Sequence, residues 1–149
     1  MEAILFIGIQ GAGKSSFYKQ TFFNTHVRIN LDMLKTRHRE NILVQACVAA
    51  QQPFVVDNTN FSIEQRAKYI SVAKAAGFRV VGYYFPSQPL DAVRRNSQRT
   101  GKERVPDQAI WGTHKQLQPP TLQEGFDRLY RVQVGENYGF SVEEQPHEI

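Results

Sequence analysis

The sequence is short of cysteine: Cys47 is the only one in 149 residues. An intramolecular disulfide framework is therefore excluded, and a reducing compartment is the simple expectation. Four scattered histidines and one thiol show no ligand spacing, which argues against a tetrahedral zinc site. Long apolar runs are missing too. The longest, residues 3–9, is interrupted by Gly8 and is far too short to cross a bilayer. No charged signal-peptide start precedes it, so a cytoplasmic location with no membrane partner is expected. Internal repeats and low-complexity stretches are also absent. What remains is 41% apolar and 21% charged, a composition that folds rather than stays disordered. A chain of this length closes one core without staples.

Charge is present but unevenly placed. The formal net charge is +4 and the pI is about 9.3. Residues 138–149 hold Glu143, Glu144 and Glu148 with no Lys or Arg, which leaves +7 on the other 137 residues. That acidic segment reads as a loose tail after a domain spanning 1–137. Arg94, Arg95, Arg99, Lys102 and Arg104 stand against Glu103 alone, and Arg28, Lys35, Arg37 and Arg39 flank Asp32. Such clusters suit phosphate-bearing partners. A solvated basic surface is the plainer reading of charge taken by itself.

Short apolar runs alternate with helical stretches, the pattern of an α/β fold with a mostly parallel sheet. Strands are predicted at 3–9, 27–29, 54–56, 79–85 and 128–134. Helices are predicted at 13–23, 31–51, 62–76, 89–99 and 106–116. Ser62 and Gln65 have the spacing of a capping box. Phe17, Tyr18, Phe22 and Phe23 read as packing residues, and Cys47 as a small buried hydrophobe.

Gly8-Ile-Gln-Gly-Ala-Gly-Lys-Ser15 matches G-x-x-x-x-G-K-[ST] at every fixed position. An apolar strand leads into it and a helix leads out, the context a phosphate loop needs. Gly8, Gly11, Ala12 and Gly13 let the backbone turn and approach phosphate oxygens. Successive N–H groups then form an anion nest at a helix start. Lys14 is expected to reach the β and γ phosphates of ATP or another nucleoside triphosphate. The Ser15 hydroxyl is expected to ligate Mg²⁺, with Ser16 beside it. The fold class that follows is a three-layer P-loop NTPase or kinase fold with a helical lid at about 90–104.

Three further elements bear on what accepts the phosphate. Asp32 follows a short strand, where a carboxylate either takes a proton from an attacking hydroxyl or merely caps the next helix. Asp57 ends a buried strand and is followed by Asn58, Thr59 and Asn60. This is the usual place for an acid that meets Mg²⁺, or for an Asx-type turn. Arg95 and Arg99 lie where a helix and loop can fold over a triphosphate, or form an exposed basic helix end. Trp111 is placed to stack on a base or to anchor packing, and His38 and His114 to touch phosphate or water.

These pieces together resemble the kinase domain of polynucleotide 5′-hydroxyl kinases, the end-healing enzymes of nucleic-acid repair. The strings that carry the resemblance are residues 8–16, Arg28-Ile-Asn-Leu-Asp32, Val56-Asp-Asn-Thr-Asn60, Arg95-Asn-Ser-Gln-Arg99, Val105-Pro-Asp107 and Pro120-Thr-Leu-Gln-Glu-Gly-Phe126. The resemblance implies phosphoryl transfer from Mg²⁺-ATP to the 5′-hydroxyl of DNA or RNA. It implies Asp32 as general base, Arg99 as the lid arginine on the donor phosphates, and Arg95 as its support. Asp57, Asn58 and Thr59 would shape the acceptor side. Lys35 stands where some members use an arginine against a substrate phosphate; it supplies charge without the forked geometry. The D-x-D-G-T string of the phosphatase fused to many members is absent, so a separate phosphatase or ligase is the partner to expect. The competing readings are a kinase of a small-molecule hydroxyl and a nucleotide-binding module with slow ATPase.

Overall fold

The first strand buries alternate residues on opposite sides. Ala3, Leu5 and Ile7 enter one core cluster, while Ile4 and Phe6 enter another. A strand buried on both faces needs cover on both, and the computed structural model accordingly has three layers. It describes residues 1–101, 104–135 and 139–146.

In chain order the elements are β1 (Glu2–Ile7), α1 (Lys14–Thr21), β2 (Val27–Ile29), α2 (Leu31–Leu34), α3 (Arg37–Ala50), β3 (Phe54–Asp57), α4 (Ile63–Ala75), β4 (Arg79–Tyr84), α5 (Pro89–Ser97), α6 (Asp107–Gln116), a 3-10 turn (Leu122–Glu124), β5 (Arg128–Val134) and β6 (Phe140–Glu144). The sheet runs β2-β3-β1-β4-β5-β6. Every pair is parallel except β5 with β6. The α/β class and mostly parallel sheet expected from the sequence are therefore found. The chain leaves β1 toward β2 and leaves β3 toward β4, so the crevice at the carboxyl ends of β1 and β3 is the switch point where ligands of such sheets gather. Among the described residues, no helix is long and apolar enough to cross a membrane.

One face of the sheet carries an aromatic cluster. The Phe6 ring lies 5.8 Å from Phe17, 6.1 Å from Phe22 and 5.1 Å from Phe85, in tilted or edge-on contacts. Phe17 in α1 is thereby anchored to β1 and β4, which fixes the helix directly behind the phosphate loop. Cys47 is buried in the opposite cluster, and burial pushes its thiol pKa up. Phe23, expected in the packing, is 67% exposed just past the end of α1.

Three further expectations need correction. The helix predicted over 31–51 is two helices. Asn30 Oδ1 accepts from Met33 N–H (2.9 Å), and Thr36 Oγ1 accepts from Arg39 N–H (3.1 Å). Two N-caps so close together make a corner, and Lys35 turns it at φ 76°. The tail at 138–149 is not loose throughout: Phe140–Glu144 pairs with β5 as an edge strand. Glu144 meets Arg128 at 3.3 Å, and the Phe140 ring lies 5.1 Å from Phe17, while residues 141–144 stay exposed. The remaining parts of that segment, 138 and 147–149, lie outside the described residues, as do Lys102 and Glu103. At α4 only the Ser62 half of the box is seen, its Oγ accepting from Gln65 N–H at 3.1 Å. A full capping box occurs instead at Thr121 and Glu124.

Candidate active site

The phosphate loop joins β1 to α1 at the switch point. Gly11 has φ 79° and Gly13 φ 98°, backbone that L side chains avoid. A Cβ on Gly11 would lie 2.6 Å from the Ala92 carbonyl oxygen, so α5 packs directly on the loop. The first backbone bond of α1 runs from Phe17 N–H to Gly13 O (3.0 Å). The amides ahead of it are those a helix start leaves for a ligand. Gly8 N–H donates to Thr59 O (3.0 Å), which ties the loop to the segment after β3.

Lys14 is folded back on its own loop. Its Nζ donates to Gly8 O (2.9 Å) and Ile9 O (2.8 Å). The pKa is lowered to about 8, chiefly by burial; Asp57 opposes this, Arg99 reinforces it, and Asp32 opposes it more weakly. Beside Lys14, the Ser15 hydroxyl donates to Asp57 Oδ2 at 3.2 Å. Arg28 bridges the pair, giving Nε to Asp57 Oδ2 and Nη2 to Ser15 Oγ, both at 2.9 Å.

One side of the crevice is built from the ends of β2 and β3. Asn30 Nδ2 donates to Asp57 O (2.6 Å), and Leu31 N–H donates to Asn58 Oδ1 (2.8 Å). The short α2, with Asp32 on it, is therefore hung between two asparagines. Asn60 is buried and donates to Phe6 O (2.7 Å), locking the β3 exit against β1.

Another side rests on α5. Buried Asn96 donates to Val105 O (2.6 Å) and accepts from Val105 N–H (2.9 Å), so one side chain ties α5 to the segment leading into α6. Arg99 follows the end of α5 and is close enough to Lys14 to lower its pKa. Arg95 points elsewhere. Its Nε donates to Gly11 O and its Nη2 to Ser87 Oγ (2.6 Å), and burial lowers its pKa.

One cavity of about 620 Å³ brings together Lys14, Ser15, Asp32, Asp57 and Arg99. Gly11, Ser16, Lys35, Asn58 and Thr59 also line it. Gly8, Ala12 and Gly13 shape the loop without lining that cavity. Arg95 and His114 instead face a second cavity of about 580 Å³, together with Ile9 and Ala12. Arg95, expected to bind the nucleotide, thus holds a loop carbonyl from the other side. Trp111 is 47% exposed on α6, and His38 is exposed on α3. Sequence reasoning did not assign Arg28, Asn30, Arg37 and Glu40 individual roles here. Three of them are neighbours of Asp32 in the chain, a proximity that was the available signal.

The residues present fit a nucleoside triphosphate with a divalent cation. The loop supplies backbone donors at the start of α1, in a turn that Gly11 and Gly13 hold at positive φ, and Lys14 supplies the cation of the nest. Ser15 and Asp57 place two oxygen donors within 3.2 Å of each other. No group of three or more His, Cys, Asp or Glu occurs among the described residues, so a hard cation here would share phosphate oxygens and water.

Comparison with known proteins agrees. The bifunctional polynucleotide phosphatase/kinase of Schizosaccharomyces pombe is 27% identical over 138 residues, covering 88% of this chain. The chain spans about a third (33%) of that relative's length. The family resemblance read from the motifs is thus borne out. Two solved structures share the fold. Kti12 of Chaetomium thermophilum, in complex with ADP-AlF3, has a TM-score of 0.66 at 15% identity, over 90% of this chain and 91% of its own. A gluconokinase from Sinorhizobium meliloti has a TM-score of 0.64 at 19% identity, over 92% and 85%. The family model described as AAA domain matches residues 4–120. With its phosphate loop, crossover order and site inside that span, the chain belongs to the AAA domain family.

Proposed function

We propose that this chain transfers the γ-phosphoryl group of ATP to the 5′-hydroxyl end of a DNA or RNA strand. The observation that carries the reading is the convergence of Lys14, Ser15, Asp32, Asp57 and Arg99 on one cavity. The likeness to a polynucleotide phosphatase/kinase supports the acceptor class.

The loop amides and Lys14 bind the donor phosphates. Ser15 and Asp57 would hold Mg²⁺, which neutralises charge on the phosphate oxygens when bound. Asp32, exposed on α2 and lining the cavity, takes the proton of the acceptor hydroxyl as its oxygen bonds to phosphorus. The bond to the β-phosphate oxygen breaks, and ADP leaves. Arg99 and Lys14 stabilise the charge that develops on the migrating group. The basic residues beside Asp32 hold the strand through its phosphates, so acceptor binding weakens as salt rises.

The test is direct. The protein is incubated with Mg²⁺, γ-labelled ATP and a 5′-hydroxyl oligonucleotide, and in parallel with small polyols and nucleosides. Label on the oligonucleotide supports the reading. Label on a small molecule alone replaces it with a small-molecule kinase, and release of free phosphate alone replaces it with an ATPase module.

A further inference from the structure

Glu40 is fully buried, at 0% exposure, and has no part in the transfer just described. Its carboxylate accepts three hydrogen bonds. Tyr69 OH (2.5 Å) and Arg37 Nη1 (3.0 Å) donate to Oε1, and Asn58 Nδ2 (2.9 Å) donates to Oε2. Arg37 Nη1 also donates to Tyr69 OH (2.9 Å). Burial first, and then the bond to Glu40, push the Tyr69 pKa up, so the hydroxyl stays a donor. A buried acid with every partner in place is costly to keep and specifies geometry.

Two of these contacts lead into the cavity. Asn58 passes the constraint on, since its Oδ1 accepts from Leu31 N–H, one residue before Asp32. Arg37 itself lines the cavity, and its side chain is 45% exposed there. Glu40 on α3 thus reaches both the turn that carries Asp32 and a guanidinium facing the same space. A four-residue helix has little rigidity of its own. Its position must come from what its ends are tied to, and Glu40 is the buried end of that tie.

We propose that Glu40 is a positioning residue for the acceptor side of the cavity, holding the Asp32 turn through Asn58 and the Arg37 guanidinium directly. The kinetic part of this inference rests on the phosphoryl-transfer reading; the geometric part does not. Arg37 is then a pre-oriented fork for an acceptor phosphate, a geometry that Lys35 lacks.

The test uses Glu40→Gln in the full chain, with Tyr69→Phe as a milder second variant that leaves the Asn58 Nδ2 to Glu40 Oε2 bond in place. Amide exchange at Leu31 is read by NMR, calorimetry gives the ATP Kd, and steady-state kinetics give the acceptor KM and kcat. For Glu40→Gln we expect Leu31 exchange to rise about tenfold or more, kcat to fall about tenfold and acceptor KM to rise several-fold, with the ATP Kd unchanged. Tyr69→Phe should raise acceptor KM while leaving Leu31 exchange as in the wild type. A folded Glu40→Gln protein with wild-type Leu31 exchange and acceptor KM overturns the proposal, as does a parallel loss of ATP affinity. If Glu40→Gln does not fold, a Tyr69→Phe protein with unaltered acceptor KM overturns the Arg37 arm. If the wild type labels no oligonucleotide, the functional reading fails while Leu31 exchange still decides the positioning role.

Discussion

The Arg28 guanidinium lies between Ser15 and Asp57, 2.9 Å from an oxygen of each. It holds the same two oxygens that the cation of a bound nucleotide would use. A charged side chain already in that position competes with the ion. In Arg28→Met, the Mg²⁺ concentration for half-maximal ADP binding should fall several-fold. Asp57 would lose its ion pair in the free protein, lowering stability by about 1–3 kcal/mol. Calorimetric ADP titrations across Mg²⁺ concentrations and a urea melt measure the two effects; a weaker Mg²⁺ response would remove Arg28 from this role.

Lys14 gives a pH dependence with a definite sign. Its pKa in the free protein is about 8, below the ordinary 10.5. The protonated form binds phosphate, so nucleotide affinity should be flat below pH 8 and fall above it, approaching tenfold per pH unit. Phosphate restores the proton, so binding near pH 8.5 takes protons from the buffer. Calorimetry in buffers of different ionisation enthalpy reads that uptake. For stability the sign is opposite. The unfolded chain binds more protons between pH 8 and 10.5, so this residue's contribution to stability rises with pH across that window and is lost as pH falls through 8.

Asp32→Asn keeps the size and the hydrogen bonds of α2 but cannot take a proton. Turnover should drop by about 10²–10⁴-fold with the ATP Kd unchanged. Single-turnover transfer and equilibrium binding, measured side by side, separate the two; wild-type turnover in this variant rules out the base assignment.

Arg99 and Arg95 should fail differently. Arg99→Ala removes a cation facing the cavity and should lower kcat by about 10²-fold or more. Arg95→Ala removes the donor to Gly11 O and should act by loosening the phosphate loop, seen chiefly as a higher ATP KM. Identical kinetic profiles for the two variants would contradict their separate placements.

Gly82 tests the packing beneath the site. A Cβ there would lie 2.8 Å from Leu129 Cδ1 and 2.8 Å from Phe126 Cε1. Gly82→Ala should cost about 1–3 kcal/mol by overpacking between β4 and β5. Chemical denaturation gives the value, and a stability equal to wild type would show that the two side chains yield freely.

Much of the architecture was legible because its signals are local. The five strands expected from apolar runs all form, since parallel strands buried on both faces read as continuous hydrophobic text. The phosphate loop is a contiguous string with one backbone solution. What escaped was set by distant partners. Thr36 looks like helix interior until Lys35 turns the chain before it. The segment 140–144 looks like a loose tail until β5 is placed beside it. Arg28 becomes part of the site only because β2 lies beside β3, which brings it to Asp57, 29 positions away. Glu40 reads as an ordinary helix acid, and nothing in its neighbourhood in the sequence points to Tyr69 or Asn58.

The string 120–126, which carried the family resemblance most distinctively, does its work away from the cavity. Glu124 closes a capping box with Thr121 and grips Arg66 through both carboxylate oxygens, at 2.7 and 3.1 Å. Arg66 in turn donates to Asn60 O (2.8 Å) and Gln118 O (3.0 Å). Apart from Gln65, Arg99 and Val105, the residues that line the cavity lie at or before Asn60. The clasp that fixes their far edge is encoded some sixty residues later. The edge of the cavity at Asn60 is thus held by a contact with residues 118–124, some sixty positions away in the chain.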